Sequence, residues 1–176
     1  MNVWSSFRLL SMLGFLLPMV ASPCVADLYL EKAALCKKYG EPEKNTFSAV
    51  PGCWDEGVAF LKDDLLIHVY LNNGKACSVV YGHTKKGQPI SQTEILLLLN
   101  QNAEGRTWQP QSIADYGLIN YTRSDGKAFA SYDGNDARPC LNIMTKELWE
   151  AMRMIKNKAT SEKGMTAPAK TPPARK

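Results

Sequence analysis

Residues 65–82 read Leu65-Leu66-Ile67-His68-Val69-Tyr70-Leu71-Asn72-Asn73-Gly74-Lys75-Ala76-Cys77-Ser78-Val79-Val80-Tyr81-Gly82. Leu65, Ile67, Val69 and Leu71 alternate with Leu66, His68 and Tyr70, so one face of the stretch is wholly aliphatic. Period-two alternation marks a half-buried strand. An Asn-Gly pair follows at Asn73-Gly74, and between apolar runs this is the strongest short-range hairpin signal, because both central residues of the tight turn need positive φ. The chain from Lys75 to about His83 therefore folds back as the partner strand. This hairpin commits the chain to an antiparallel sheet.

Neighbouring segments extend the pattern. Trp54 to Leu61 predicts the preceding strand, ending at the Lys62-Asp63-Asp64 turn. Further upstream, Asp27 to Tyr39 predicts a helix with Leu28, Leu35 and Tyr39 on one face; Gly40 and Pro42 end it. Glu41 to Gly52 reads as a loop. Downstream, Ser91-Gln92-Thr93-Glu94 is a capping box before the run Ile95 to Leu99, whose five consecutive aliphatics predict burial over a wide arc. Leu118 to Arg123, an Asp125-Gly126 turn and Lys127 to Tyr132 form a second hairpin. Cys140 to Met144 predicts a further strand, leading into a helix with Leu148, Ala151, Met152 and Ile155 at helical spacing. The expected class is α+β: an antiparallel sheet of about six strands in two three-stranded meanders, packed by two or three helices.

The two hairpins share residues. NNGKACSVVYG and SDGKAFASYDG match at Gly-Lys-Ala and again at a later Gly. Two readings stand: a tandem helix-plus-meander repeat, with halves 27–84 and 91–145, or two independent hairpins using the same turn chemistry.

The chain begins as exported proteins do. MNVWSSFR carries Arg8 and no acid, an apolar run follows from Leu9 to Val20, and Ala26 is a small residue placed for cleavage before Asp27. A spanning helix needs about 20 apolar residues, and Pro18 ends this run early. Residues 1–26 are thus expected to be a signal peptide, 27–157 a single domain, and the protein periplasmic or extracellular. Cys24 follows Pro23, where lipid attachment wants a small residue, and cleavage after Ala26 removes it. Four cysteines then remain, Cys36, Cys53, Cys77 and Cys140, an even number that suits a disulfide framework. Four allow three pairings; the favoured one joins Cys36 to Cys53 and Cys77 to Cys140.

From Asp27 to Ile155 there are 14 basic and 16 acidic residues, so the body is near neutral. From Lys156 onward six basic residues face one acid, and residues 158–176, rich in Lys, Ala, Thr and Pro, are expected to be a disordered tail with at most weak contact to an anionic surface. A basic groove for nucleic acid is not indicated.

Chemistry-bearing motifs are absent. The cysteines form no close pair of the kind zinc sites use, His68 and His83 have no ligand partner at motif spacing, and neither G-x-S-x-G nor a phosphate-binding glycine loop occurs. No catalytic residue, metal or cofactor is therefore assigned. Asp63, Asp64, Asp115, Asp125, Asp133 and Asp136 fall in turns, where aspartate is favoured for conformational reasons. Asn120-Tyr121-Thr122 is a formal glycosylation sequon inside a strand. What remains is aromatic: Trp54, Tyr70, Tyr121 and Tyr132 are the candidate binding face, since exposed rings on a sheet anchor protein or glycan partners.

A short helix ending Lys38-Tyr39-Gly40-Glu41-Pro42, then a loop, then an antiparallel meander, resembles the small exported domains of the β-lactamase-inhibitor-protein class. Outer-membrane-assembly lipoproteins share a similar helix–meander unit, although this chain lacks their lipid-attachment site. The resemblance implies noncatalytic binding through a sheet face, or envelope scaffolding. The expected function is a noncatalytic binding or scaffolding module of the cell envelope, with another envelope protein or a glycan as partner. The alternatives are a small exported hydrolase using loop carboxylates, and a tether acting through the basic tail.

Overall fold

A computed structural model describes residues 26–113 and 118–165. The fold is α+β with a wholly antiparallel sheet. In chain order the elements are α1 (Lys32–Tyr39), β1 (Glu43–Phe47), β2 (Glu56–Lys62), β3 (Leu65–Asn72), β4 (Lys75–His83), α2 (Gln92–Gln101), β5 (Trp108–Ile113), β6 (Leu118–Arg123), β7 (Ala128–Asp133), β8 (Cys140–Thr145) and α3 (Lys146–Met165). The described strands form one eight-stranded sheet in the order β1-β2-β3-β4-β8-β7-β6-β5.

The sheet is thus wider than the six strands expected. Both additions are edges. β1 lies in the segment read as a loop, and β5 carries Pro110; each pairs on one side alone. Polar sequence and proline, which weaken a strand signal, are tolerated at an edge because half the backbone groups there need no ladder partner. Each half therefore holds a helix followed by a four-stranded meander, and the meanders join through β4 and β8. The similar peptides do not occupy equivalent places. Asn73-Gly74 links the third and fourth strands of its half, whereas Asp125-Gly126 links the second and third of the other. Of their shared residues the turn glycine is the one a tight turn demands, and Gly74 and Gly126 have positive φ of 73° and 68°.

Register separates the two faces. Val58, Phe60, Ile67, Val69, Val79, Tyr81, Leu141 and Ile143 turn to the side covered by α1 and α2, meeting Leu35, Ile95, Leu98 and Leu99 in the main core. A bulge breaks the β3–β4 register between Tyr70↔Ser78 and Leu71↔Ala76, so Ala76 joins that core while Cys77 packs with a second cluster on the other side. The second cluster holds Cys53, Met144 and Leu148, and there α3 packs on β7 and β8.

Two segments depart from expectation. Asp27 to Leu30 is not helical: Tyr29 N–H donates to the Ala76 carbonyl and Ala76 N–H donates to the Leu30 carbonyl, both at 2.8 Å. Asp27 and Leu28 are buried there and Leu30 packs against the core, which outweighs continuation of the helix, while Tyr29 stays exposed. At the other end α3 runs to Met165, into the segment expected as a tail; residues 166–176 and the signal-peptide residues 1–25 lie outside the described residues.

Candidate functional site

The outward face of the sheet, opposite α1 and α2, is read directly from the strand pairings. Three rows cross six strands. The first is Gly57–Tyr70–Ser78–Met144–Phe129–Thr122, the second Ala59–His68–Val80–Asn142–Ser131–Asn120, and the third Leu61–Leu66–Gly82–Cys140–Asp133–Leu118. α3 covers part of the first row, through Leu148 on Met144 and a stacked Phe129–Trp149 pair 5.0 Å apart. The second row is half-buried at His68, Val80, Asn142, Ser131 and Asn120, with Ala59 buried at its end. Across all three rows Asp133 is the one acidic or basic side chain, apart from His68. Burial, aided by Arg138, holds the His68 pKa below its ordinary value, which favours the neutral ring.

Such charge depletion is unusual for a solvent-facing sheet, where polar and charged residues normally alternate with the apolar inner row. Two side chains tie the rows across the middle: Ser78 Oγ donates to Asn142 Oδ1 at 2.8 Å. Aromatic rings border them, with Trp54 and Tyr70 packed 4.7 Å apart and Trp54 Nε1 donating to the Ser48 carbonyl.

The aromatic face read from sequence is therefore split. Trp54 and Tyr70 lie together on the outward side, half-buried. Tyr121 and Tyr132 belong to the main core on the inward side, and the Tyr132 hydroxyl donates to the Ile90 carbonyl. Strand parity, set by the pairings Tyr121↔Ala130 and Tyr132↔Leu141, turns both rings under α2. The small Ala128 and Ala130 beside them make room for rings inside the core rather than at the surface.

The cysteines also depart from expectation. Cys36, Cys53, Cys77 and Cys140 are free thiols in this structure. Cys140 pairs with Gly82, five residues along β4 from Cys77, which at about 3.3 Å per residue places the two far beyond the roughly 7 Å Cα limit of a disulfide. Cys36 packs against the main core and Cys53 within the second cluster. The two cysteines that do meet are Cys53 and Cys77, with the Cys77 thiol 3.9 Å from the Cys53 carbonyl. Burial raises the Cys77 pKa to about 11 and also raises those of Cys53 and Cys140, so these thiols stay protonated at neutral pH.

On the inward side α2 stands proud of the sheet. Ile95, Leu98 and Leu99 are buried, but Leu96 and Leu97 are 55% and 58% exposed, so the buried arc is narrower than the wide one expected of the five aliphatics. A cleft of about 540 Å³ lies along one flank, floored by Leu65, Ile67 and Leu98 and bordered by Tyr39, His83 and Glu94. A second of about 510 Å³ lies along the other, lined by Trp108, Pro110, Ile119 and Tyr121. Of the turn carboxylates, Asp63 and Asp64 border the first cleft. Asp125 is held by Arg123 at 3.0 and 3.1 Å; Asp133 and Asp136 accept from the backbone N–H of Asn135 and Arg138; Asp115 lies outside the described residues. No group of three or more potential metal ligands occurs among the described residues.

One polar network was not foreseen. Asp27 is fully buried, and its carboxylate receives Lys38 Nζ at 2.6 Å, the Tyr39 hydroxyl at 2.6 Å and the Tyr81 hydroxyl, three residues that line the first cleft. Its backbone N–H donates to Asn102 Oδ1 at 3.0 Å, and Asn102 Nδ2 donates to the Tyr81 oxygen. Burial and the neighbouring Asp27 push the Tyr81 hydroxyl well above its usual range. The five residues are scattered in sequence, and no local spacing signals them.

No protein family and no curated protein sequence matches the chain. Among solved structures, a cysteine-rich secretory protein from Staphylococcus aureus subsp. aureus Mu50 is similar over 69% of this chain at 14% identity and a TM-score of 0.40. The matched region is 44% of that protein, so this chain spans less than half of its length.

Proposed function

We propose that this protein is an exported, noncatalytic binding or scaffolding module of the cell envelope, and that the outward sheet face engages its partner. The observation that carries the reading is the three-row face crossing six strands with a single carboxylate and no lysine or arginine. Depletion of charge at the centre with aromatic residues alongside is the composition of interface cores rather than of ordinary surface. Trp54–Tyr70 and Phe129–Trp149 supply those rings. The sheet presents this face on a rigid framework, so little ordering entropy opposes association. The likeness to exported inhibitor domains implies the same mode, a protein partner seated on a sheet.

The test is affinity capture from the native envelope fraction with the wild-type protein and two variants. Ser131→Arg places a charge in the middle row, and Leu97→Ser alters the α2 ridge on the opposite side. A partner retained by the wild type and by Leu97→Ser but lost with Ser131→Arg is the expected result. Retention by Ser131→Arg, with circular dichroism showing all three proteins folded, overturns the sheet-face assignment.

A further inference from the structure

Two irregularities of the backbone bring a pair of thiols to one place. Val50-Pro51-Gly52-Cys53 has the proline and positive-φ glycine of a type II turn, with Gly52 at 80° and the Cys53 N–H donating to the Val50 carbonyl at 2.9 Å. That turn fixes Cys53 just ahead of β2, where the Asp55 N–H donates to the Leu71 carbonyl near the end of β3. On the far side of β3, the β4 bulge falls at Cys77, between the pairs Tyr70↔Ser78 and Leu71↔Ala76, and turns its side chain away from the main core.

Both cysteines are buried in the second cluster, with the Cys77 sulfur 3.9 Å from the Cys53 carbonyl oxygen and 3.3 Å from that of Tyr70. A disulfide joins Cβ atoms about 3.8 Å apart and Cα atoms less than about 7 Å apart, so an approach this close to the Cys53 main chain is on its scale. Burial foremost, with Asp55 and the Cys53 thiol adding to it, raises the Cys77 pKa, so the two sulfur groups already interact. The other cysteines stand elsewhere. Cys36, on α1, has the sheet between it and this cluster, and Cys140 pairs with Gly82, five residues along β4 from Cys77.

We propose that Cys53 and Cys77 are a disulfide site, closed in the exported protein, and that Cys36 and Cys140 remain thiols. The closed state rests on the exported location proposed above, because an oxidising compartment is where such bonds persist. Closure is exchange with a glutathione-type disulfide. The thiolate of one cysteine attacks a donor sulfur, forming a mixed disulfide and releasing one donor thiol. The second thiolate attacks the protein sulfur of that mixed disulfide, forming the Cys53–Cys77 bond and releasing the other donor thiol. Two electrons pass from the cysteines to the donor, and the two cysteine protons end on the released thiols. Because both sulfurs are buried and protonated once the chain has folded, the exchange belongs to folding. The link joins positions 24 residues apart and ties the turn before β2 to β4 across β3. Trp54 follows Cys53 and the Tyr70 carbonyl lies against Cys77, so the link also anchors the Trp54–Tyr70 pair that borders the outward face.

The experiment takes the protein as its cells make it, denatures it in N-ethylmaleimide and maps the cysteines by mass spectrometry. A second portion is first reduced in denaturant and refolded in mixed reduced and oxidised glutathione. The expected product of both arms is one Cys53–Cys77 cross-linked peptide, with Cys36 and Cys140 alkylated. Adding a phosphine reductant is expected to lower the thermal midpoint of the wild type, and of Cys36→Ser/Cys140→Ser, by roughly 5–10 °C, the scale of one lost disulfide. The midpoint of Cys53→Ala/Cys77→Ala should not respond to reductant. Four alkylated thiols or any other pairing after refolding overturns the proposal, and so does a wild-type midpoint that reductant leaves in place. Both of those readouts use the wild type, so neither depends on a variant that folds. Open thiols in the protein from cells, with the link formed on refolding, count against the exported location while the pairing stands.

Discussion

At the scale of single residues, Asp27 carries the most consequence. Its carboxylate is buried and bears one ammonium and two phenols, so a neutral replacement strands Lys38 and disturbs both tyrosines. Losing one partner of a buried pair costs about 3 kcal/mol or more, whereas a surface pair is worth under about 1. Asp27→Asn is therefore expected to lower the unfolding free energy by about 3 kcal/mol in urea titrations. Glu56→Gln, which breaks the half-exposed Lys32–Glu56 pair, is expected to change it by less than about 1 kcal/mol in the same assay. Equal effects of the two would show that the Asp27 network does not secure the N-terminal segment. Arg123 plays a similar part at the β6–β7 turn, where its buried guanidinium meets Asp125, Glu104 and the Asn102 carbonyl.

Among the elements, α2 shows how local chemistry and tertiary position divide the work. The capping box is present in full: Glu94 N–H donates to Ser91 Oγ at 3.3 Å, and Ser91 N–H donates to Glu94 Oε2 at 2.8 Å. Four neighbouring residues suffice to specify it. Ser91→Ala is expected to cost about 1 kcal/mol, read from the shift of the urea midpoint at unchanged slope. The exposure of Leu96 and Leu97, by contrast, follows from how α2 lies on the sheet. The β3–β4 hairpin was likewise legible, since alternation and the Asn-Gly turn act over a few residues. β1 and β5 were not, because an edge strand is stabilised by one neighbour that only the assembled sheet supplies.

For the molecule as a whole, pH dependence follows from the carboxylates held by partners. The Arg123 guanidinium keeps Asp125 below the usual carboxylate range, and hydrogen bonds from Ser91 do the same for Glu94. A carboxyl group whose pKa is depressed in the folded state stabilises it fully above the unfolded value, about 4, and that contribution is lost as pH falls through the folded value. Thermal unfolding midpoints are accordingly expected to be nearly level from about pH 8 to 5 and to drop below about pH 4. In Asp125→Asn the drop should shrink, and an unchanged acid limb would remove Asp125 from the account. Sequence alone determined the antiparallel α+β class, the turns and the helix cap, because alternation, turn propensity and capping are written in neighbouring residues. Tertiary structure decided which face each tyrosine joined, which cysteines met, the Asp27 network and the bare outward surface. Those depend on strand register and on one bulge in β4, where a single residue reverses the side on which a chain presents its groups.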